Sequence, residues 1–153
     1  MFGYKKLKEQ IVQSPTQNEL AILNNFIQIS EEWTLFKHGA KLKIINQQLL
    51  SDVKILANYL YIKKAGVCLG ELKGKDIVPN HELALSTMPL ANIATLELSK
   101  EDALQYLRRK EIKTAAAVGW ALITHKNTRL GWVKVLPNRI NNYYPQEWRI
   151  IKN

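Results

Sequence analysis

Between Val118 and Leu136 two apolar runs face each other across a short polar turn, and this pattern limits the fold more than any other in the chain. Val118-Gly119-Trp120-Ala121-Leu122-Ile123-Thr124 reads as a buried strand, His125-Lys126-Asn127-Thr128 as a turn, and Arg129-Leu130-Gly131-Trp132-Val133-Lys134-Val135-Leu136 as the return strand. Pro137-Asn138-Arg139 breaks that strand, and Trp148-Arg149-Ile150-Ile151 is expected to close the sheet. The C-terminal part therefore reads as a small, twisted β structure.

The residues ahead of it read as mixed. Thr16 and Glu19 have the spacing of a capping box, and Leu20, Leu23, Phe26 and Ile27 follow at helical spacing, which predicts a helix from about Gln17 to Gln28. Trp33–Phe36 and Leu42–Ile45 read as strands around His38-Gly39, Gln47–Leu56 as a helix, and Tyr59–Ile62 and Val67–Leu69 as strands. Asn80 caps a short helix that stops near Pro89, and Leu90–Leu98 is the expected connection between two halves, with a strand at Ala94–Leu98. Ser99, with Asp102 three residues on, caps a further helix that runs through Leu107.

A compact chain of 153 residues buries roughly 68–70% of its unfolded surface, so it needs neither a disulfide nor a metal to fold. Its one cysteine, Cys68, allows no internal disulfide. No apolar run is long enough to span a bilayer, the N-terminus lacks the apolar core of a secretory signal, and the expected location is the cytoplasm.

Charge is the first functional clue. Up to Leu107 there are 12 basic and 11 acidic residues, whereas from Arg108 to Asn153 there are 10 basic and 2 acidic, a net of +8. A field of that sign draws in polyanions. The cations are interleaved with aromatics, a pattern that points to nucleic acid rather than to a merely solvated face. Lys126, Arg129, Lys134, Arg139 and Arg149 are the expected phosphate partners. Tyr143, Tyr144 and Trp148 stand open between packing and stacking on unpaired bases, while Trp120 and Trp132, set in apolar strand patterns, read as core. Asn138, Asn141 and Asn142 fall in a loop bounded by prolines, where asparagines shape turns or read base edges.

Signals of catalysis are missing. Gly66, Gly70 and Gly74 fit neither a dinucleotide fingerprint nor a P-loop, and His38, His81 and His125 are too scattered to suggest a metal site. Cys68 reads as a small buried strand residue, and His81 and Glu82 as first-turn helix residues. No cofactor is expected.

Gly66-Val67-Cys68-Leu69-Gly70-Glu71-Leu72 followed by Pro79-Asn80-His81-Glu82-Leu83-Ala84-Leu85 resembles the "GLxLGExK … PSHALAL" stretch of Sun-type RNA cytosine-5 methyltransferases of the RsmF kind. Tyr106-Leu107-Arg108-Arg109, Gly119-Trp120, Leu130-Gly131-Trp132-Val133-Lys134 and Asn142-Tyr143-Tyr144-Pro145 are similar to that family's "YLRG … GW … LGWGK … NHYPKGLR" pattern. The order and spacing of these pieces, from about Gln17 to Ile150, carry the resemblance. Departures are Val133 for a glycine, Tyr143 for a histidine, and Gln146-Glu147-Trp148-Arg149 for Lys-Gly-Leu-Arg; Lys134 and Arg149 keep the pattern.

The resemblance implies the family's C-terminal region: a first small C-terminal domain, then a PUA-like RNA-binding domain. It also implies that the S-adenosylmethionine site and the two catalytic cysteines belong to a domain upstream. The chain is then either a separated piece of such an enzyme or a stand-alone relative. The expected fold is α+β, with a small mixed α/β domain over residues 1–91 and a PUA-like β pseudo-barrel with a flanking helix over residues 92–153. The expected function is non-catalytic binding of structured ribosomal or transfer RNA through Lys126, Arg129, Lys134, Arg139, Asn142, Tyr143, Tyr144, Trp148 and Arg149, in support of cytosine-5 methylation and in partnership with a methyltransferase catalytic domain. The alternatives are a protein-interaction module that docks through the less charged first half, and an enzyme using His81, Glu82 and Cys68.

Overall fold

A computed structural model describes residues 12–74, 76–112 and 116–151. The fold is α+β, and the chain divides into two compact units, Met1–Val78 and Pro79–Asn153.

In the first unit, β1 (Val12–Gln13) leads into α1 (Gln17–Asn24), then β2 (Trp33–His38), β3 (Lys41–Asn46), a 3-10 turn at Gln47–Leu49, α2 (Leu50–Ala57), β4 (Val67–Lys73) and β5 (Asp76–Pro79). The capping box forms as the sequence predicts: the Glu19 amide donates to the Thr16 hydroxyl, and the Thr16 amide donates to the Glu19 carboxylate at 2.7 Å. The five strands pair in chain order, and β1 to β4 are antiparallel neighbours. Leu23, Phe26, Ile27, Phe36, Leu42, Ile44, Cys68 and Leu69 are buried. The strand expected at Tyr59–Ile62 does not form. The chain there leaves the end of α2 in a turn, with the Tyr59 and Leu60 amides donating to the Leu56 carbonyl, so those amides are committed before any strand partner is met.

The second unit opens with α3 (His81–Leu85), whose first turn is capped by the Asn80 carboxamide oxygen accepting from the Glu82 amide at 2.9 Å. It continues with β6 (Ala94–Glu97), α4 (Lys100–Leu107), β7 (Gly119–His125), β8 (Thr128–Leu136), β9 (Arg139–Asn142) and a 3-10 turn at Gln146–Trp148. The sheet order is β6-β7-β8-β9, an open four-stranded sheet and not a closed barrel. β6 and β7 are parallel, a pairing that requires a crossover, and α4 supplies it. The β7–β8 connection is the tight hairpin read from the sequence: Lys126 and Asn127 both take positive φ, 48° and 61°, the conformation whose twist matches paired strands.

One face of this sheet carries the core. Ala121 and Ile123 of β7 and Val133 and Val135 of β8 pack with Leu98, Ala103, Tyr106 and Ile112. α4 thus buries its Ala103 and Tyr106 against alternate residues of two strands. Gly131 makes the approach possible: a Cβ there would stand 2.3 Å from the Tyr106 hydroxyl and 2.9 Å from His81 Cε1. α3 packs against β8 as well, and Trp132 Nε1 donates to the Asn80 carbonyl at 2.9 Å.

The fourth strand is a correction to the sequence reading. It is Arg139–Asn142, expected as loop, and not Trp148–Ile151. Asparagine is a poor strand former, but the turn at Pro137-Asn138 places Asn141 opposite Lys134 and Asn142 opposite Val133, and ladder pairing overrides the local preference. Residues 146–151 instead run as a 3-10 turn and irregular chain, tied back by the Ile150 amide donating to the Leu107 carbonyl.

Candidate nucleic-acid interface

The end of α4 is where the site begins. Arg108 closes the helix and Arg109 follows with φ 58°, its amide donating to the Tyr106 carbonyl while the Lys110 amide donates to Gln105. These two bonds define a left-handed helix stop that normally favours glycine at the second of the two arginines. Arginine there turns outward, and its guanidinium donates to the Tyr144 and Asn142 carbonyls across a gap.

That gap is an open groove of about 640 Å³. One wall is Arg109, Lys110 and Glu111; the other is β9 and the residues after it, from Arg139 to Pro145. Three cations and one carboxylate thus line the groove. Side-chain bonds brace the far wall. The Asn142 carboxamide donates to the Tyr106 carbonyl at 2.9 Å and accepts from the Tyr144 amide at 2.9 Å. Tyr143 stands at the rim, 37% exposed, its ring edge-on to Trp120 at 4.6 Å. Lys134 lies over the Trp120 ring, 5.0 Å from its centroid. Trp120 is buried, and its Nε1 finds no acceptor among the described residues.

Of the residues singled out in the sequence, Arg139, Asn142, Tyr143 and Tyr144 come together in this groove, and Lys134 lies outside its lining, over the Trp120 ring. Lys126 and Arg129 do not join them. They sit by the β7–β8 turn, ten or more residues of strand and turn from Arg139, so roughly 20–30 Å away. The Arg129 guanidinium is occupied at 2.6 and 3.0 Å by the carbonyls of Ser86 and Met88, where it ties down the segment after α3. The Lys126 amide is held by the Glu97 carboxylate, while its side chain is exposed. Trp148, 54% exposed, ends the 3-10 turn outside the groove lining, and Arg149 follows it in extended backbone.

Tyr144 and Trp148 share a histidine. Their rings meet His81 edge-on at 5.3 and 5.2 Å, and Tyr144 also meets Tyr106 at 5.5 Å. Both His81 nitrogens are buried without a partner among the described residues, and loss of water pushes its pKa below the usual histidine value, partly offset by the Glu147 carboxylate. Burial pushes the Tyr106 and Tyr144 phenols upward. Arg109 and Lys110 were not among the site residues expected from the sequence. The signal for them was the Arg108-Arg109-Lys110 run at a predicted helix end, where cations also suit the helix dipole.

Residues 93–150 match the family described as the methyltransferase RsmF PUA domain, a span that takes in β6, α4, β7 to β9 and the whole groove. Two curated relatives are similar to this chain, and both are named ribosomal RNA small subunit methyltransferase F. That of Shigella boydii serotype 4 is 24% identical over 98 residues, 63% of this chain and 20% of the relative. That of Salmonella arizonae is 29% identical over 97 residues, 62% of this chain and 20% of the relative. The chain spans about one fifth of the length of the curated relatives it matches. No helix among the described residues is long and apolar enough to cross a membrane.

Proposed function

We propose that the second unit binds structured ribosomal or transfer RNA, in the cytoplasm, in support of cytosine-5 methylation carried out by a methyltransferase catalytic domain, and that this chain supplies grip and no chemistry. The observation that carries the reading is the groove in which Arg109, Lys110 and Arg139 outnumber Glu111 beside an exposed tyrosine ring. Lys110 and Arg139 there neutralise phosphates, which positions the RNA without reading its sequence, while Arg109 adds positive field from its place on the Tyr144 and Asn142 carbonyls. Tyr143, held edge-on by Trp120, offers a face to an unpaired base of a loop or bulge. The match to an RsmF PUA domain over 93–150 and the name of the relatives support both the RNA and the methylation context.

In this reading residues 1–91 form the small mixed domain and 92–153 the RNA-binding one, with α3 buttressing β8. Tethering RNA beside a catalytic domain raises its local concentration and fixes its orientation. Of the cations expected to touch phosphate, those at the groove contribute most and Lys126 least. The test is fluorescence anisotropy with a stem–loop RNA. Lys110→Glu with Arg139→Glu weakens binding by about tenfold or more, and Lys126→Glu does far less. Equal effects from the two ends of the sheet would remove the groove from the proposal, and no binding by the parent chain at low salt would end it.

A further inference from the structure

The first unit carries a surface that the groove does not explain. After α2, the chain is pinned at both ends of a short loop. Ala57 is buried, and Ala57, Ile62 and Ala65 line a small cavity with Phe36, Lys43 and Val53. Between the pins, Tyr59, Leu60 and Tyr61 project with 76%, 53% and 68% of their surfaces exposed. Leu49, Ile55 and Leu56 of the preceding helical stretch are exposed too. Neighbouring large apolar groups left this open mark a surface that meets a partner.

The charges choose the partner. From Gln47 to Gly66 there is one acid, Asp52, and three lysines, Lys54, Lys63 and Lys64. Lys54 and Lys63 are exposed and flank the tyrosines in sequence. Two aromatic rings two residues apart, at most about 7 Å along the chain, with cations beside them, have the make-up of a stacking platform for unpaired bases. An aliphatic protein partner would account for Ile55 and Leu56 but not for the tyrosine–lysine combination.

We propose that the Tyr59–Lys63 loop is a second, sequence-tolerant contact for single-stranded RNA. Tyr59 and Tyr61 stack on adjacent bases, and Lys54 and Lys63 meet the phosphates between them. This site uses none of the groove's residues, so it stands or falls separately from the groove.

The experiment uses the full chain carrying Lys110→Glu and Arg139→Glu, with a single-stranded RNA octamer containing 2-aminopurine as the probe. That parent is expected to bind the octamer and quench its fluorescence by stacking. Adding Tyr59→Ala and Tyr61→Ala is expected to weaken binding by about tenfold and to abolish the quench, while Tyr59→Phe and Tyr61→Phe keep both. Lys63→Glu, at an exposed position that leaves folding intact, is expected to weaken binding and flatten its salt dependence. Octamer affinity and quenching unchanged in both the alanine and the Lys63→Glu proteins would overturn the proposal and give the surface to a protein partner. Failure of the groove variants to affect stem–loop RNA would count against the groove alone.

Discussion

Lys134 and Trp120 occupy directly paired positions on β8 and β7, and the lysine ammonium sits 5.0 Å from the centre of the indole ring. The buried tryptophan thus meets both the lysine ammonium and the ring of Tyr143. Lys134→Met keeps the aliphatic stem and removes the charge. It is expected to lower unfolding free energy by about 0.5–1 kcal/mol in chemical denaturation, the usual worth of an exposed cation on an aromatic face. An unchanged midpoint would show that the ammonium is not engaged with the ring.

Arg109 holds a left-handed backbone position at the end of α4. Such a conformation costs a side-chain-bearing residue about 1–2 kcal/mol, a cost glycine escapes. Arg109→Gly and Arg109→Ala both lose the bonds to the Asn142 and Tyr144 carbonyls. The glycine protein is therefore expected to be about 1 kcal/mol more stable than the alanine protein, and both to bind RNA more weakly than the parent. Equal stability of the two variants, read from denaturant midpoints, would contradict the strained assignment.

Gly131→Ala places a Cβ 2.3 Å from the buried Tyr106 hydroxyl, at φ 151°. Tyr106 is fully buried and donates to the Trp132 carbonyl at 3.2 Å, so it cannot swing aside without breaking that bond. The expected loss is about 2–3 kcal/mol, measured by equilibrium unfolding. A loss under about 0.5 kcal/mol would mean that α4 sits farther from β8 than described.

Much of this architecture is written locally in the chain. The Thr16–Glu19 box, the Asn80 and Ser99 caps and the Lys126-Asn127 turn each depend on residues within a few positions of one another, and each forms where the sequence places it. What the sequence conceals is pairing at a distance. β9 is built from residues with turn chemistry, and only the register with β8 makes them a strand. Tyr59–Ile62 has the composition of a strand but spends its first two amides on the end of α2. The same divide runs through the site. A count of cations finds the basic half, but only the folded chain shows that Arg129 and Arg109 each engage two carbonyls and that Lys110 and Arg139 line one groove.

His81 gives the second unit a pH dependence. Its folded-state pKa lies below the ordinary value because burial strips water from the imidazole, and the facing Glu147 carboxylate opposes this only in part. As pH falls through the usual histidine range near 6.5, the unfolded chain takes up the proton before the folded one does. Stability contributed by the neutral ring is therefore present above that range and lost below it. Thermal melts between about pH 5 and 8 are expected to show a falling midpoint on the acid side. His81→Phe, which keeps a ring against Tyr144 and Trp148, is expected to remove that part of the slope. A slope identical in the two proteins would place its origin elsewhere.

The most direct test of RNA binding at the groove is the salt dependence of affinity for a stem–loop RNA. Each phosphate neutralised in a single-stranded segment contributes about −0.7 to the slope of log affinity against log salt, so Lys110 and Arg139 predict a slope of about −1.4. Lys110→Glu with Arg139→Glu should bring it close to zero. A flat response in the parent chain, or a slope that the double reversal leaves untouched, would contradict the account.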